Sequence, residues 1–225
     1  MSNSEKLMQM YELLYERYGP QGWWPGDGRC EMIVGAILTQ NTNWGNVEKA
    51  IANLKAAGAL TAERFGEIEQ DELAELIRPA GYYNIKAKRL KNFFVWVFDE
   101  YQGRLDSLEN LDAASLREQL LAVNGIGPET ADSIVLYGFD KPVFVVDTYT
   151  ARMLGRGELI EEGADYQQIQ DFFESSLPSD AKLFNEFHAL LVRVGKEHCK
   201  PKPKCSGCPL EEPCRKKDTQ GTSTT

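Results

Sequence analysis

Four of the five cysteines in this 225-residue chain fall in one short stretch, Cys199-x5-Cys205-x2-Cys208-x5-Cys214. In a reducing compartment, thiols clustered this closely serve as metal ligands rather than disulfides. Four thiolates suit a structural zinc ion or an iron–sulfur cluster, and the spacing leaves both open. Pro201, Pro203, Pro209 and Pro213 stiffen the loops between the ligands and lower the entropy lost on closure. Cys30 stands far away in an apolar stretch and reads as an inert buried thiol.

Two other places can do chemistry. The segment Leu120-Leu121-Ala122-Val123-Asn124-Gly125-Ile126-Gly127-Pro128-Glu129-Thr130-Ala131 carries one apolar helical face into Gly-Ile-Gly. With Pro128 at a first-turn position, it then enters a second helix. Glycine permits the angles of a tight hairpin, and Ile126 can plug the groove between the helices. The amides of Asn124, Gly125, Ile126 and Gly127, with the helix N-terminus behind them, form an anion site suited to a nucleic-acid phosphate. Such a contact positions a duplex without reading its sequence. The pattern also fits a plain turn between helices. Asp147, in Val145-Val146-Asp147-Thr148, stands where a helix N-cap is expected, and capping alone accounts for it. A carboxylate there can also face a cleft, stabilise a cationic sugar or orient a water.

The elements that must hold these residues are helices. Ser2-x-x-Glu5 forms a capping box ahead of Leu7, Met10, Leu13 and Leu14, and Gly19-Pro20 ends that helix. The patterning predicts further helices near 28–40, 43–58, 69–78, 84–102, 112–122, 128–138, 147–155, 165–176 and 180–197. Val143 to Val146 is a β-branched apolar run too short to build a sheet. The expected fold is all-α: two helical lobes flanking a cleft. Residues 25–137 make the lobe ending in the hairpin (about 112–137), 1–24 with 138–217 make the cysteine-bearing lobe, and 218–225 form a disordered Gly/Ser/Thr tail.

At 42% hydrophobic and 26% charged, the composition is that of a water-soluble globular chain. No apolar run reaches the roughly 20 residues of a membrane helix, and the polar start from Met1 to Lys6 lacks a signal-peptide core, so a cytoplasmic location is expected. A net charge of −9 opposes a polyanionic partner. The charge is unevenly spread, however. Arg193, Lys196, Lys200, Lys202, Lys204, Arg215, Lys216 and Lys217 outnumber Glu197, Glu211 and Glu212, and Lys86, Lys88, Arg89 and Lys91 form a second run. Such runs are more often solvated faces than binding sites.

Taken in order, the hairpin at 120–131, Val-Asp-Thr at 146–148, Arg152 and the terminal cysteines resemble the endonuclease III-like helix-hairpin-helix–GPD DNA glycosylases from about residue 22 to 214. Gly22-Trp23-Trp24-Pro25, Leu38-Thr39-Gln40-Asn41-Thr42-Asn43-Trp44 and Arg78-Pro79-Ala80-Gly81-Tyr82-Tyr83-Asn84-Ile85-Lys86-Ala87-Lys88-Arg89-Leu90 look like the branch that excises 3-methyladenine. The resemblance implies a [4Fe–4S] cluster on Cys199, Cys205, Cys208 and Cys214, with zinc as the alternative, although the first cysteine spacing is five residues where the family's is usually six. It implies Asp147 as the catalytic carboxylate, Trp24, Pro25, Trp44 and Glu129 as the base pocket, and Gln40 entering the duplex beside an extruded nucleotide.

One position departs from endonuclease III. The lysine that forms a Schiff base two positions after the final hairpin glycine is here Glu129, and a carboxylate cannot form an imine. The implied activity is monofunctional hydrolysis, within base excision repair, of the N-glycosidic bond of a flipped alkylated purine. The implied partner is double-stranded DNA carrying a damaged base, met by a monomer acting at the nucleoid. The alternatives are a bifunctional glycosylase and AP lyase acting on oxidised pyrimidines, and a non-catalytic damaged-DNA-binding module.

Overall fold

The computed structural model describes residues 1–161 and 163–214. Among them the regular structure is entirely helical: α1 (Asn3–Tyr18), α2 (Arg29–Leu38), α3 (Trp44–Ala56), α4 (Ala62–Glu67), α5 (Gln70–Leu76), α6 (Tyr83–Tyr101), α7 (Ala113–Ala122), α8 (Pro128–Ser133), α9 (Thr148–Arg156), α10 (Tyr166–Ser176), α11 (Ala181–Glu197) and α12 (Glu211–Cys214). Short 3-10 turns cover Arg78–Ala80 and Leu105–Asn110, and a π-turn covers Ile134–Gly138. No helix of the described residues is long and apolar enough to cross a membrane. The expected tail at 218–225, like Arg215 to Lys217, lies outside the described residues.

Local signals set most of the boundaries. The capping box closes as Ser2 N donates to Glu5 Oε2 at 2.7 Å and Glu5 N to Ser2 Oγ at 3.2 Å. Asn43, Asp112 and Asp180 each accept from the first turn of the helix they precede. Several elements differ from the sequence reading, among them α12 and the Leu105–Asn110 turn, neither of which was expected. The helix expected over 128–138 divides into α8 and the π-turn. A further short helix, α4, stands where none was expected; its six residues are too few to show a helical period. Gly66 within it is there for space, because a Cβ would come within 2.8 Å of Phe98.

The described residues divide into two compact units, Trp24–Lys141 and a discontinuous one joining residues 1–23 to those described between 142 and 214. In the continuous unit α2 is buried on every side from Glu31 to Leu38, and packs against α3, α6, α8 and the π-turn. Phe65 of α4 and Phe94 of α6 stack at 4.1 Å with planes 2° apart. In the discontinuous unit α11 packs on α1 and α9, and Phe144 stacks on Phe173 at 3.7 Å.

Helix α6 also carries two cations that the fold uses internally. Lys86, 1% exposed, donates from Nζ to Leu38 O at 2.8 Å, Thr42 Oγ1 at 2.6 Å and Ala80 O at 2.9 Å. It thereby ties the loop after α2 to the Arg78–Ala80 turn. Desolvation, with Arg89 nearby, pushes its pKa down to about 8. Lys91 donates to Phe65 O, Gly66 O and Ile68 O, satisfying carbonyls around the end of α4. Half of this basic run therefore serves backbone carbonyls, leaving Lys88 and Arg89 toward the surface.

Helices α7 and α8 are clamped by Arg117, whose Nε and Nη2 reach the two oxygens of Asp132 at 2.6 and 3.3 Å, with Asp132 wholly buried. Arg117→Met deprives that carboxylate of its cation and is expected to lower the unfolding free energy by about 3 kcal/mol. The loss should appear as a lower urea midpoint at unchanged slope, partly restored when Asp132→Asn is added.

Candidate active site

The hairpin begins where α7 ends at Ala122. Val123 turns to extended backbone, Gly125 takes φ +99°, and Gly127 at φ −95° starts α8 with Pro128 in its first turn. Ile126 is 5% exposed, plugging the hairpin from within, while Asn124 and Gly127 are exposed. Gly125 is required on two counts. Its φ is left-handed, and a Cβ there would collide with the Arg89 side chain, which lies directly against it.

Gln40 closes this arrangement. Its Nε2 donates to Gly125 O at 3.1 Å and to Thr130 Oγ1 at 2.9 Å, while its Oε1 accepts from Arg89 Nη1. Asn92 of α6 adds a bond to Asn124 O at 2.9 Å. The structure thus brings Gln40, Gly125 and Arg89 together and engages the Gln40 amide with the hairpin. Beside them an open depression of about 540 Å³ is lined by Asn84, Lys88, Arg89, Asn92, Asn124 and Gly125.

The same unit gathers aromatic rings. Trp24 and Trp44 meet edge to face, with centroids 5.0 Å apart and planes at 89°. Tyr137, in the π-turn, lies 5.4 Å from Trp24 with planes at 33°. All three rings are only half-buried. Trp24 rests on Gly35 of α2, where a Cβ would stand 3.3 Å from its ring. Trp44 donates Nε1 to Glu48 Oε1 at 2.8 Å. Pro25 is exposed next to Trp24, and Glu129 is exposed in the first turn of α8. Tyr137 escaped the sequence reading because an uninterrupted helix through 138 gives no sign of a π-turn.

In the discontinuous unit, Asp147 caps α9. Its Oδ1 accepts from Thr150 N at 2.7 Å and Thr150 Oγ1 at 2.9 Å. That fixes the carboxylate and leaves Oδ2 with a different neighbour, His188 Nε2 of α11 at 3.7 Å, too long for a direct hydrogen bond. The Asp147 side chain is 12% exposed, so it is neither solvated nor sealed in hydrocarbon. Burial holds the His188 pKa below its ordinary 6.5 against the pull of Asp147, so the imidazole is neutral at neutral pH. Helices α9 and α11 approach closely at Gly195, where a Cβ would come within 2.5 Å of the Tyr149 ring. The sequence reading missed His188, which carries no local signal, and Gly195, whose place inside a helical pattern is itself a sign of close packing.

The four clustered cysteines follow α11. Arg152 Nη1 donates to Cys199 O at 2.7 Å, and Arg156 donates to Cys199 Sγ at 3.2 Å, Lys200 O at 2.7 Å and Pro201 O at 2.9 Å. Leu210, 2% exposed, anchors the segment. All four thiols are free, and among the described residues no group of three or more Cys, His, Asp or Glu side chains is arranged to hold a single metal ion. The four sulfurs are nevertheless within electrostatic reach of one another. Burial first, then repulsion from Cys208, Cys199 and Cys205, pushes Cys214 up to about 11. A soft set of four thiols suits a thiolate-bound zinc ion or iron–sulfur cluster, whose positive charge would relieve that repulsion. Cys30 is different: burial pushes its thiol to about 12, leaving it unreactive at neutral pH.

A family model described as HhH-GPD superfamily base excision DNA repair protein matches residues 34–179. Over 215 residues, 95% of this chain and 97% of the other, the sequence is 46% identical to a provisionally named DNA repair glycosylase of Methanocaldococcus jannaschii. It is 30% identical over 185 residues to endonuclease III of Sulfolobus acidocaldarius, covering 81% of this chain and 80% of that one. Among solved structures, the 3-methyladenine DNA glycosylase of H. pylori bound to 1,N6-ethenoadenine aligns with a TM-score of 0.74 and 32% identity, over 88% of this chain and 98% of that one. A trapped endonuclease III–DNA covalent intermediate shares the fold at a TM-score of 0.81 and 20% identity, over 96% and 97% of the two chains. The chain belongs to the HhH-GPD superfamily of base excision DNA repair proteins and is a DNA glycosylase of that superfamily.

Proposed function

We propose that this glycosylase is monofunctional and hydrolyses the N-glycosidic bond of an extruded alkylated purine of the 3-methyladenine type in double-stranded DNA. The observation that carries this reading is the half-buried Trp24–Trp44 pair. A purine alkylated on its ring carries positive charge, and electron-rich indoles attract such a base by cation–π stacking worth up to about 2 kcal/mol when desolvated. The likeness to the H. pylori enzyme, a 3-methyladenine DNA glycosylase by its name, supports the same substrate class. In this reading Pro25 and Glu129 complete the pocket. The amides of Asn124, Gly125, Ile126 and Gly127 hold a backbone phosphate. Gln40 supports the hairpin, and its entry into the duplex requires its bonds to Gly125 and Thr130 to open.

The chemistry follows from the charge on the base. The glycosidic electron pair leaves with the alkylated purine, which departs neutral and needs little acid catalysis. The positive charge then resides on the sugar. Asp147, with Oδ1 fixed by Thr150, offers Oδ2 to stabilise the oxocarbenium ion and to orient the water that adds at C1′. The proton lost by that water passes to the carboxylate or to solvent.

A lyase step needs an amine. Glu129 cannot supply it, and Lys86, the buried lysine with the lowered pKa, is held by three acceptors at 1% exposure. Borohydride treatment of the enzyme on damaged duplex is therefore expected to leave no covalent protein–DNA adduct. A trapped adduct accompanied by strand nicks decides for the bifunctional reading.

Asp147→Asn is the direct test of the mechanism. Asparagine caps a helix as well as aspartate, so folding and DNA binding should persist. Base release should fall by about 10²–10³. Excision at the wild-type rate removes Asp147 from the mechanism.

Cys199, Cys205, Cys208 and Cys214 would hold a [4Fe–4S] cluster. When bound, it ties down a segment that has Leu210 as its apolar anchor and little other core. The purified protein should be brown, and losing the iron should lower its Tm and speed hydrogen exchange over residues 199–214 while sparing α2 and α6. A colourless protein with one zinc ion per chain favours the alternative metal.

A further inference from the structure

π-turns are rare and gather at functional sites. The one at Ile134–Gly138 keeps Ile134, Val135 and Leu136 in the core and leaves Tyr137 half-buried. The turn is pressed onto α2, since a Cβ on Gly138 would stand 2.8 Å from Met32 Cε. Tyr137 is thereby held beside Trp24 at 5.4 Å with its ring tilted by 33°, while Trp44 meets Trp24 edge-on from the start of α3. Three rings from three separate segments converge in one place. They are not core filling: the core rings of the same unit, Phe65, Phe93 and Phe94, have no exposure at all.

We propose that Tyr137 is the third wall of the base pocket and that its ring makes the pocket prefer positively charged purines over neutral ones. This rests on the reading of Trp24 and Trp44 given above and deepens it. Each added π face lowers the potential at the position of a flipped base, so a cation gains from all the rings it faces. A neutral lesion gains only dispersion and apolar contact, which an aliphatic side chain of similar bulk supplies almost as well. The discriminating group is thus the ring and not the hydroxyl.

The test compares duplexes carrying 3-methyladenine, which is cationic, with duplexes carrying 1,N6-ethenoadenine, which is neutral. Tyr137→Leu is expected to lower kcat/KM for the cationic lesion about tenfold, between the factors that exposed and desolvated cation–π contacts confer. Release of the neutral lesion should change by less than about threefold, and Tyr137→Phe, which keeps the ring, should restore the preference. Quenching of tryptophan fluorescence by 3,9-dimethyladeninium gives a readout independent of catalysis, with Kd rising about tenfold in Tyr137→Leu and recovering in Tyr137→Phe. Thermal unfolding checks each variant, and Tyr137→Gln replaces the leucine variant should that one unfold. Equal losses on both lesions, or an unchanged Kd, overturn the role of Tyr137 and leave the assigned function standing. A wild-type enzyme that releases no alkylated purine overturns the assigned function, and the quenching measurement still decides whether Tyr137 contributes to cation binding.

Discussion

In the proposed mechanism one carboxylate has to begin a helix and also serve a reaction. At Asp147 the two demands are divided between its oxygens: Oδ1 takes two donors from Thr150, and Oδ2 is left facing His188 at a distance too great for a firm bond. The cap removes side-chain freedom that a catalytic group would otherwise lose on reaching its transition state. His188 is held neutral by burial, so it shapes the space around Oδ2 without neutralising the charge that the reaction needs. Close packing of α9 on α11, permitted by Gly195, keeps this geometry rigid. Everything proposed about the chemistry presupposes that half-shielded, oriented negative charge.

The continuous unit shows a related economy with positive charge. In this chain of net charge −9, acidic side chains outnumber basic ones, and Lys86 and Lys91 are committed to backbone carbonyls. Lys86 holds the segment from Leu38 to Thr42, which contains the hairpin-supporting Gln40, against the Arg78–Ala80 turn, while Lys91 holds carbonyls around the end of α4. Arg89 then lies against Gly125 and bonds to Gln40, so the hairpin conformation is fixed by a side chain from another helix as well as by its own glycines. Removing either kind of support loosens the same surface, since buried carbonyls left without donors are costly.

Much of this was legible in the sequence because its causes are local. A capping box, Asp or Asn ahead of a helix, Gly-Ile-Gly followed by proline, and four closely spaced cysteines each act over a few residues, and each is where its pattern placed it. The short helix α4 was not legible, because six residues do not complete two turns. The π-turn was not legible either, since its residues have the apolar pattern of an ordinary helix end.

The sequence by itself determined the all-helical class, the hairpin, the cap at Asp147 and the composition of the thiol set, since backbone preference and short-range hydrogen bonding suffice for these. Tertiary structure alone decided that Lys86 is a fastener rather than a phosphate ligand, that Gln40 is engaged by the hairpin, that His188 stands beside Asp147, and that Tyr137 joins Trp24 and Trp44. Each of these joins residues far apart along the chain. Their meeting depends on how helices pack, and no pattern read over a few neighbouring positions encodes it.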